Sequence, residues 1–278
     1  MIKSVLVALD DSRSGRIAQD LAISMALAHR ASVTGLAILN QPKATTLREM
    51  LAREVEHVTH AHAAEHAEAL KRIEAAAADF AERCAEKGVD CTPLAKEGEA
   101  YPFLATESRL HDLVIIGRQH AAGAETPEDA VGVIRLMLNH TVRPIILTPP
   151  SPPEGGVSVV VAYDGSAPAS RALQLFALMG LDEGREVHIV SVHEKAGVAD
   201  ALALNAATYL RRHGMVVRPH GVTSHSAPAD VIAEKCSEVS AEMAVAGAVG
   251  HGGWRESLVG SSTMAMLRFA RIPLFISS

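Results

Sequence analysis

Three glycines and a serine near the end of the chain have the types and spacing of a phosphate-binding loop. Gly247, Gly250, Gly260 and Ser261 form a G-x2-G-x9-G-S pattern. The first glycine follows an apolar run, which predicts a strand, and the serine begins an apolar run at helical spacing. Glycine lets backbone N–H groups approach an anion closely, and a helix N-terminus adds unpaired donors and a favourable dipole. The pattern therefore predicts a strand, a phosphate-binding loop and a helix.

Several side chains within and after this loop could contribute chemistry. His251 and Arg255 lie between the second and third glycines, and Arg255 either reaches the phosphates or is simply solvated. Trp254 either packs as a lid or contacts a partner. Ser261 and Ser262 carry hydroxyls, but no G-x-S-x-G nucleophile elbow is present, which favours helix capping and phosphate binding over nucleophilic catalysis.

Two common nucleotide-binding patterns do not fit the loop. No Lys-Ser/Thr pair follows the glycines, as a Walker P-loop requires. The glycine spacing also differs from the Rossmann fingerprint, and the loop follows the fourth strand of its half rather than the first. Both exclusions argue against a default NTPase or dehydrogenase.

The elements that must position the loop occur twice along the chain. Residues 4–10, SVLVALD, and residues 158–164, SVVVAYD, are the same short buried strand ending in Asp. Each is followed by a polar turn, a helical pattern and further apolar strands in the same order. A Pro/Gly/Ser cluster, TPPSPPEGG at 148–156, separates the copies and predicts a linker.

The repeat predicts two α/β doubly wound domains, 1–148 and 157–278, each with a five-stranded parallel sheet. The strands are continuous apolar runs, as expected where helices cover both faces of a sheet. Ligands then bind outside the carboxyl ends of the strands, at the switch point where Asp10 and Asp164 are expected. The copies differ most after the second strand, where a long helical stretch covers about 46–87.

Asp164 has two possible roles. Its carboxylate could accept hydrogen bonds from ribose hydroxyls or base amino groups at the switch point. Equally, Asp164 followed by Gly165 and Ser166 is good turn and N-cap chemistry, which needs no ligand. The sequence leaves both roles open.

On these motifs the whole chain resembles a tandem member of the universal stress protein family, which has an adenine nucleotide α-hydrolase-like fold. The four motif positions match the ATP-phosphate loop of that family. The resemblance implies that Asp164 holds the nucleoside, that Ala162 lies beside it, and that the backbone of Val192 meets adenine. Many ATP-binding members have His before the second glycine, whereas this chain has Val249 there and His251 after the glycine.

The first half lacks the phosphate loop. It keeps Asp10 and Gly117, but the later glycine positions fall on His120 and Ala130, or near Val131 and Gly132 when counted back from the last strand. The sequence AETPED at 124–129 places acidic residues where phosphate would lie, and like charges repel. We therefore expect one ATP site, in residues 157–278.

The amino-acid composition limits which classes of partner and which cellular compartment we expect. The chain has 278 residues, 48% apolar and 3% aromatic, with a net charge of −6. These values argue against nucleic acid as a partner. Three cysteines without C-x-x-C spacing, no recognisable targeting segment and no membrane-length apolar run predict a cytoplasmic, soluble protein. His57, His60, His62 and His66 could offer metal ligands, but a solvated helix face is the simpler interpretation.

The combined expectation is a stress-response protein that binds ATP, with or without Mg²⁺, and signals its occupancy to a protein partner. Only weak ATPase or autophosphorylation activity is expected. The alternatives are a slow nucleotide-dependent hydrolase or phosphotransferase, or a scaffold that binds no nucleotide. By resemblance, the last strands of the two halves, 144–148 and 273–277, should pair within one chain as a pseudo-dimer. Further association into a homodimer is left open.

Overall fold

The computed structural model describes residues 1–40, 60–119, 127–151, 155–195, 197–248 and 271–278, and all structural statements refer to these ranges. They form ten strands and seven helices. The first half contains β1 Ser4–Leu9, α1 Arg13–His29, β2 Ser32–Asn40, α2 His60–Glu86, β3 Cys91–Gly98, α3 Ala100–Ser108, β4 Leu113–Gly117, α4 Pro127–His140 and β5 Ile145–Thr148. The second half contains β6 Ser158–Ala162, α5 Ala167–Met179, β7 Glu186–His193, α6 Val198–Arg212, β8 Val217–Thr223, α7 Pro228–Glu238, β9 Ala241–Gly247 and β10 Leu274–Ser277.

The predicted alternation of strands and helices is confirmed wherever the chain is described. The largest difference at a strand end concerns β6, which was expected to continue to Asp164 but ends at Ala162. The helix predicted to begin at Ser261 lies outside the described residues.

All ten strands form one sheet, in the order β3-β2-β1-β4-β5-β10-β9-β6-β7-β8. Neighbouring strands are parallel except at the centre, where β5 and β10 are antiparallel. Leu274 lies opposite Leu147, and Phe275 lies opposite Ile146. The expected pairing of the two last strands within one chain is therefore confirmed. It relates the halves by an approximate two-fold axis.

The hydrophobic core consists of two layers, one on each face of this sheet. Helices α1, α2, α5 and α6 cover one face, where Phe80, Phe176 and Phe275 are fully buried. Helices α3, α4 and α7 contribute to the other face, which buries Leu104 and Met137. Burial on both faces explains why the strands are continuous apolar runs.

Both edge strands carry a proline at the same position. Pro93 of β3 lies opposite Gly35, and Pro219 of β8 lies opposite Ile189. Proline has no backbone N–H, and it is tolerated in sheets chiefly at edges. Each proline therefore weakens the sheet edge as a template for a further strand.

The long helical stretch of the first half is confirmed over α2, and its predicted beginning at residues 46–59 lies outside the described residues. Only one stripe of α2 is buried, with Ala77, Phe80 and Cys84 facing the sheet. A Cβ atom on Gly35 would lie 2.5 Å from a ring carbon of Phe80, so the ring packs directly on the backbone of β2. The remaining described surface of α2 is largely exposed.

A pair of histidines occupies the α7 side of the second half. His188 Nδ1 and His220 Nε2 are 2.9 Å apart, and the two rings stack. His188 Nε2 lies 3.3 Å from Glu186 Oε2. Because a carboxylate only accepts, His188 Nε2 carries its proton, and neutral His188 therefore accepts from His220 at Nδ1. The first half has Thr34 and Leu94 at the two equivalent positions.

Burial lowers the pKa of both His188 and His220, so the folded protein keeps them neutral more readily than the unfolded chain does. The charged groups that influence them are Glu186 on β7, Arg218 on β8, and Lys235 and Glu238 on α7. Glu186 opposes the shift of His188, whereas Lys235 adds to the shift of both rings.

We predict that this pair makes the protein sensitive to acid. Its stabilising contribution is present above pH ~6.5, the ordinary histidine pKa, and is lost as the pH falls through the lowered folded-state values. Urea unfolding at several pH values should show a smaller loss of unfolding free energy for His188→Thr/His220→Leu than for the wild type. His225→Thr, at an exposed site, is the control. Equal pH dependence in the pair variant and the wild type would contradict the prediction.

Candidate functional site

Four of the candidate site residues lie at one edge of the sheet. Strand β6 lies between β7 and β9, so the chain leaves β6 to one side and returns on the other. This is the switch point of the second half. Ala162 ends β6, Asp164 follows it, Val192 is the next-to-last residue of β7, and Gly247 ends β9. The carboxyl ends of these parallel strands thus meet where a doubly wound sheet binds its ligands.

The other six candidates lie outside the described residues. They are Gly250, His251, Arg255, Gly260, Ser261 and Ser262, and Trp254 belongs to the same stretch. Their part in the phosphate loop therefore stays a prediction from the sequence.

Asp164 forms the local turn, which is one of the two roles that the sequence left open for this residue. Asp164 Oδ1 accepts a hydrogen bond from the backbone N–H of Ser166 at 2.9 Å. Ser166 in turn caps α5, accepting from the N–H of Ala169 at 3.2 Å. Both are ordinary local side-chain bonds at a helix start. The structural role of Asp164 is real, and it does not exclude a second one, because a carboxylate has about four acceptor sites.

The first half repeats this turn. Asp10 Oδ1 accepts from the N–H of Ser12 at 2.8 Å, and Ser12 caps α1 through the N–H of Gly15 at 3.0 Å. The turn alone therefore does not distinguish the two halves. Any difference in function between Asp10 and Asp164 must come from their surroundings.

Those surroundings differ at the third residue of the following helix. A Cβ atom on Gly15 would overlap Oδ1 of Asp10, so that carboxylate lies directly against the backbone of α1. The second half has Ala169 at the equivalent position, and its methyl group excludes that arrangement. Asp10 is accordingly half-buried, whereas Asp164 is exposed at the edge of the sheet. A carboxylate in the second position is accessible to a ligand.

Gly247 has a packing role that requires no ligand. A Cβ atom at this position would lie 2.5 Å from the backbone nitrogen of Ala169, so β9 ends in close contact with α5. Gly117 has the same relation to Gly15 in the first half, with a corresponding distance of 2.6 Å. The glycine is thus present in both halves because the helix and strand approach so closely. This explains why Gly117 persists where the rest of the loop motif is absent.

In the first half, hydrogen bonds between the protein's own polar groups close the carboxyl edge of the sheet. The N–H of Gln119 donates to Ser14 Oγ at 2.9 Å, and the N–H of Ser14 donates to Gln119 Oε1 at 3.2 Å. Thr148 Oγ1 also donates to the carbonyl of Ser14 at 2.7 Å. These bonds join β4, β5 and α1. They occupy a backbone donor at the start of α1 that an anion would otherwise use.

Arg118, next to this closure, also distinguishes the first half. Burial lowers its pKa to about 10, at which the guanidinium is still charged at neutral pH. Its Nε donates to the carbonyl of Thr148 at 3.4 Å. Our sequence reasoning missed Arg118 and Gln119. A signal was available, because the repeat aligns them with the apolar residues Ala248 and Val249.

The start of α5 is poorly suited to phosphate. Its second residue is Pro168, which has no N–H, and the N–H of Ala169 is already bonded to Ser166. Few backbone donors remain there for an anion. That the phosphates are held at the later helix, expected near Ser261, stays a prediction from the sequence.

The first half differs at the start of its own last helix. Helix α4 begins at Pro127, so Glu128 and Asp129 lie in its first turn, and Ala130 and Gly132 lie further along. Acidic residues in a first turn complement the helix dipole and disfavour a second anion there. That the first half does not hold ATP stays a prediction from the sequence.

The histidines of α2 are described only in part. His66 Nε2 lies 3.1 Å from Glu97 Oε1, which links α2 to β3. His57 and the side chains of His60 and His62 lie outside the described part of the structure. Within the ranges the structure describes, no three His, Cys, Asp or Glu side chains are arranged to hold a metal ion. In the same ranges, no helix combines the length and apolar character needed to cross a bilayer.

Comparison with known sequences shows that the second half is similar to one protein family. Residues 158–277 match the model of the universal stress protein family. Over 168 residues the chain is 27% identical to a universal stress protein of Synechocystis sp.. That match includes 59% of this chain and 56% of the relative, so it spans little more than half of either protein.

Comparison with solved structures extends the likeness in fold to the whole chain. A universal stress protein from Archaeoglobus fulgidus is similar over 99% of this chain and 96% of its own, with a TM-score of 0.72 and 18% identity. A putative universal stress protein from Pseudomonas aeruginosa is similar over 99% and 93%, with a TM-score of 0.59 and 14% identity. At such low identity these likenesses show the fold.

We predict that Gly247→Ala destabilises the protein by about 1–3 kcal/mol, because the added methyl group must displace α5 from β9. Gly132→Ala is the matched control. Gly132 lies in α4, with no atom within 4 Å of an added Cβ. There the change should stabilise by about 0.5–1 kcal/mol through helix propensity. Urea unfolding measures both variants, and a neutral Gly247→Ala would contradict the close packing.

Proposed function

Since residues 158–277 match the model of the universal stress protein family, we propose that this half of the chain binds ATP at the carboxyl edge of β6, β7 and β9. Occupancy of the site then serves as a cytoplasmic stress signal that is read by a protein partner. The first half supplies the other side of the pseudo-dimer and holds no nucleotide. Nucleic acid and membranes are not among the partners we propose.

One observation carries the proposal. The same Asp, with the same turn and the same N-cap, is exposed at the switch point in the second half and is held against α1 in the first. The exposed Asp164 belongs to the half that also has the complete glycine pattern. Two independent features, one in the sequence and one in the structure, thus distinguish the same half as the binding half.

In this proposal each group of residues binds one part of the nucleotide. The Asp164 carboxylate accepts hydrogen bonds from the ribose hydroxyls. Ala162 and the backbone of Val192, at the ends of neighbouring strands, face the base. The loop that begins at Gly247 and includes Gly250, His251, Arg255, Gly260, Ser261 and Ser262 receives the phosphates. Mg²⁺, where it takes part, enters with the phosphates, since it prefers oxygen ligands and keeps several waters.

The proposed mechanism is a shift in populations. ATP favours one arrangement of the loop around the phosphates, and that arrangement changes the surface offered to the partner. The size of the shift is limited by the difference in ATP affinity between the two arrangements. Fast turnover is not needed for such a signal, so we propose at most slow hydrolysis or autophosphorylation.

We predict one ATP site per chain, measured as a stoichiometry of one by isothermal titration calorimetry. Asp164→Ala should weaken binding about tenfold to a hundredfold, because hydrogen bonds to a charged acceptor are lost. Asp10→Ala removes the equivalent turn from the first half and should leave the ATP affinity unchanged. Asp164→Asn, which keeps one carbonyl acceptor, should bind with intermediate affinity.

The outcomes separate the proposal from its alternatives. Two equivalent sites, or equal losses in Asp164→Ala and Asp10→Ala, would contradict the assignment to the second half. No ATP affinity would favour a scaffold. Rapid release of phosphate, abolished by Gly260→Asp, would favour a hydrolase or phosphotransferase. Trp254, the only tryptophan in the chain, provides a fluorescence signal from within the proposed loop.

A further inference from the structure

Hydrogen bonds link a short series of hydroxyl-bearing side chains next to Asp164. Ser191, in β7, is fully buried, and its Oγ donates to the carbonyl oxygen of Tyr163 at 2.6 Å. The phenol oxygen of Tyr163 lies 3.2 Å from Ser170 Oγ in α5. We call Ser191, Tyr163 and Ser170 the hydroxyl relay. It connects β7 to α5 through the residue that precedes Asp164.

The hydroxyl relay takes the place of the last backbone pairing between β6 and β7. In the first half β1 continues to Leu9, which is paired with Ala37 of β2. In the second half the last pair is Ala162 with Val190, one position earlier. The N–H of Tyr163 still donates to the carbonyl of Val190 at 2.9 Å. The carbonyl of Tyr163, however, accepts from the Ser191 side chain.

The hydrogen bond from Ser191 to the Tyr163 carbonyl fixes the peptide unit that joins Tyr163 to Asp164. The Tyr163 carbonyl and the Asp164 N–H belong to one planar peptide unit, so a bond to the carbonyl orients both. The Tyr163 ring is held at its other end by Ser170. The Asp164 side chain is then set by the bond from the N–H of Ser166. The turn is therefore restrained before and after Asp164.

The first half has no chemical equivalent of the relay. By the strand registers and the two turns, Ala37 corresponds to Ser191, Leu9 to Tyr163 and Arg16 to Ser170. None of the three carries a hydroxyl group. The relay thus occurs only in the half whose Asp is exposed, and local turn formation does not require it, because Asp10 makes the same turn without it.

We propose that Ser191 is a positioning residue, which through the Tyr163 carbonyl holds Asp164 in the orientation that accepts the ribose hydroxyls. This inference rests on the proposed function, because it assigns a support to the proposed ATP site. Ser191 itself does not touch the nucleotide. Its effect should therefore be confined to the part of the binding energy that Asp164 supplies.

The test compares ATP with 2′,3′-dideoxy-ATP, which lacks the hydroxyls that Asp164 is proposed to bind. Ser191→Ala should weaken ATP binding about fivefold to tenfold, the equivalent of about one hydrogen bond. The same variant should bind the dideoxy nucleotide with wild-type affinity. In an Asp164→Ala background, Ser191→Ala should cause no further loss, because the group it positions is gone. Calorimetry measures the affinities of the wild type and Ser191→Ala for both nucleotides, and those of Asp164→Ala and the double variant for ATP.

Ser158→Ala is the matched control. Ser158 is also a buried serine at this sheet, and its Oγ donates to the carbonyl of Val239 at 2.8 Å, but it lies at the amino end of β6. It should lose a similar amount of stability and keep full ATP affinity. Tyr163→Phe, which removes the bond to Ser170 and keeps the carbonyl, gives a second variant if Ser191→Ala folds poorly. It should reduce ATP affinity with the same selectivity.

The outcomes distinguish this inference from the function on which it rests. Equal weakening of both nucleotides by Ser191→Ala would assign the relay a general structural role and overturn the positioning role alone. Unchanged ATP affinity in both relay variants would do the same. Absence of ATP affinity in the wild type would overturn the proposed function and the positioning role together. Restoration of ATP affinity by Ser191→Thr, which returns the hydroxyl, would support the positioning role.

Discussion

The close contact between the first helix of each half and the end of the fourth strand governs the edge at which the candidate site lies. The contact leaves no room for a side chain at Gly117 or Gly247, and it brings the third helical residue against both the strand end and the turn. What that third residue is then decides where the Asp carboxylate lies. Gly15 admits the carboxylate against the helix, and Ala169 does not. The half-buried acid thus lies against a glycine, and the exposed acid belongs to the half with alanine at the equivalent position.

The same constraint explains how a repeated chain can have one functional half. Both halves contain the Asp turn, the serine cap and the strand-end glycine, and the contacts of these features are all within the protein. The features that differ are those that folding does not require. Gln119 and Ser14 join one edge by reciprocal hydrogen bonds, whereas Pro168 at the equivalent of Ser14 can form neither bond. The antiparallel pairing of β5 with β10 then holds the two unlike halves in one sheet.

Much of the fold could be predicted because its causes are local. Continuous apolar runs, helical spacing and the Pro/Gly cluster gave the order of elements, and the repeat gave the same order twice. The end of β6 was harder to predict. Residues 158–164 align with 4–10, yet the ladder stops at Ala162, and the Tyr163 carbonyl accepts a hydrogen bond from the Ser191 side chain. Ser191 lies almost thirty residues further along the chain, so no local pattern around β6 indicates it.

The sequence by itself determined the architecture, the presence of two copies and the identity of the copy with the glycine pattern. These follow from residue types and short spacings, which act within an element or between neighbouring elements. Only the tertiary structure decided that Gly247 packs on α5, that Asp10 and Asp164 differ in exposure, and that a hydroxyl relay stands behind Asp164. Each of these depends on atoms brought together by sheet order and helix packing. In a sequence, a glycine near a strand end looks the same whether it makes room for a phosphate or for a packed helix. The position of the neighbouring backbone distinguishes the two cases.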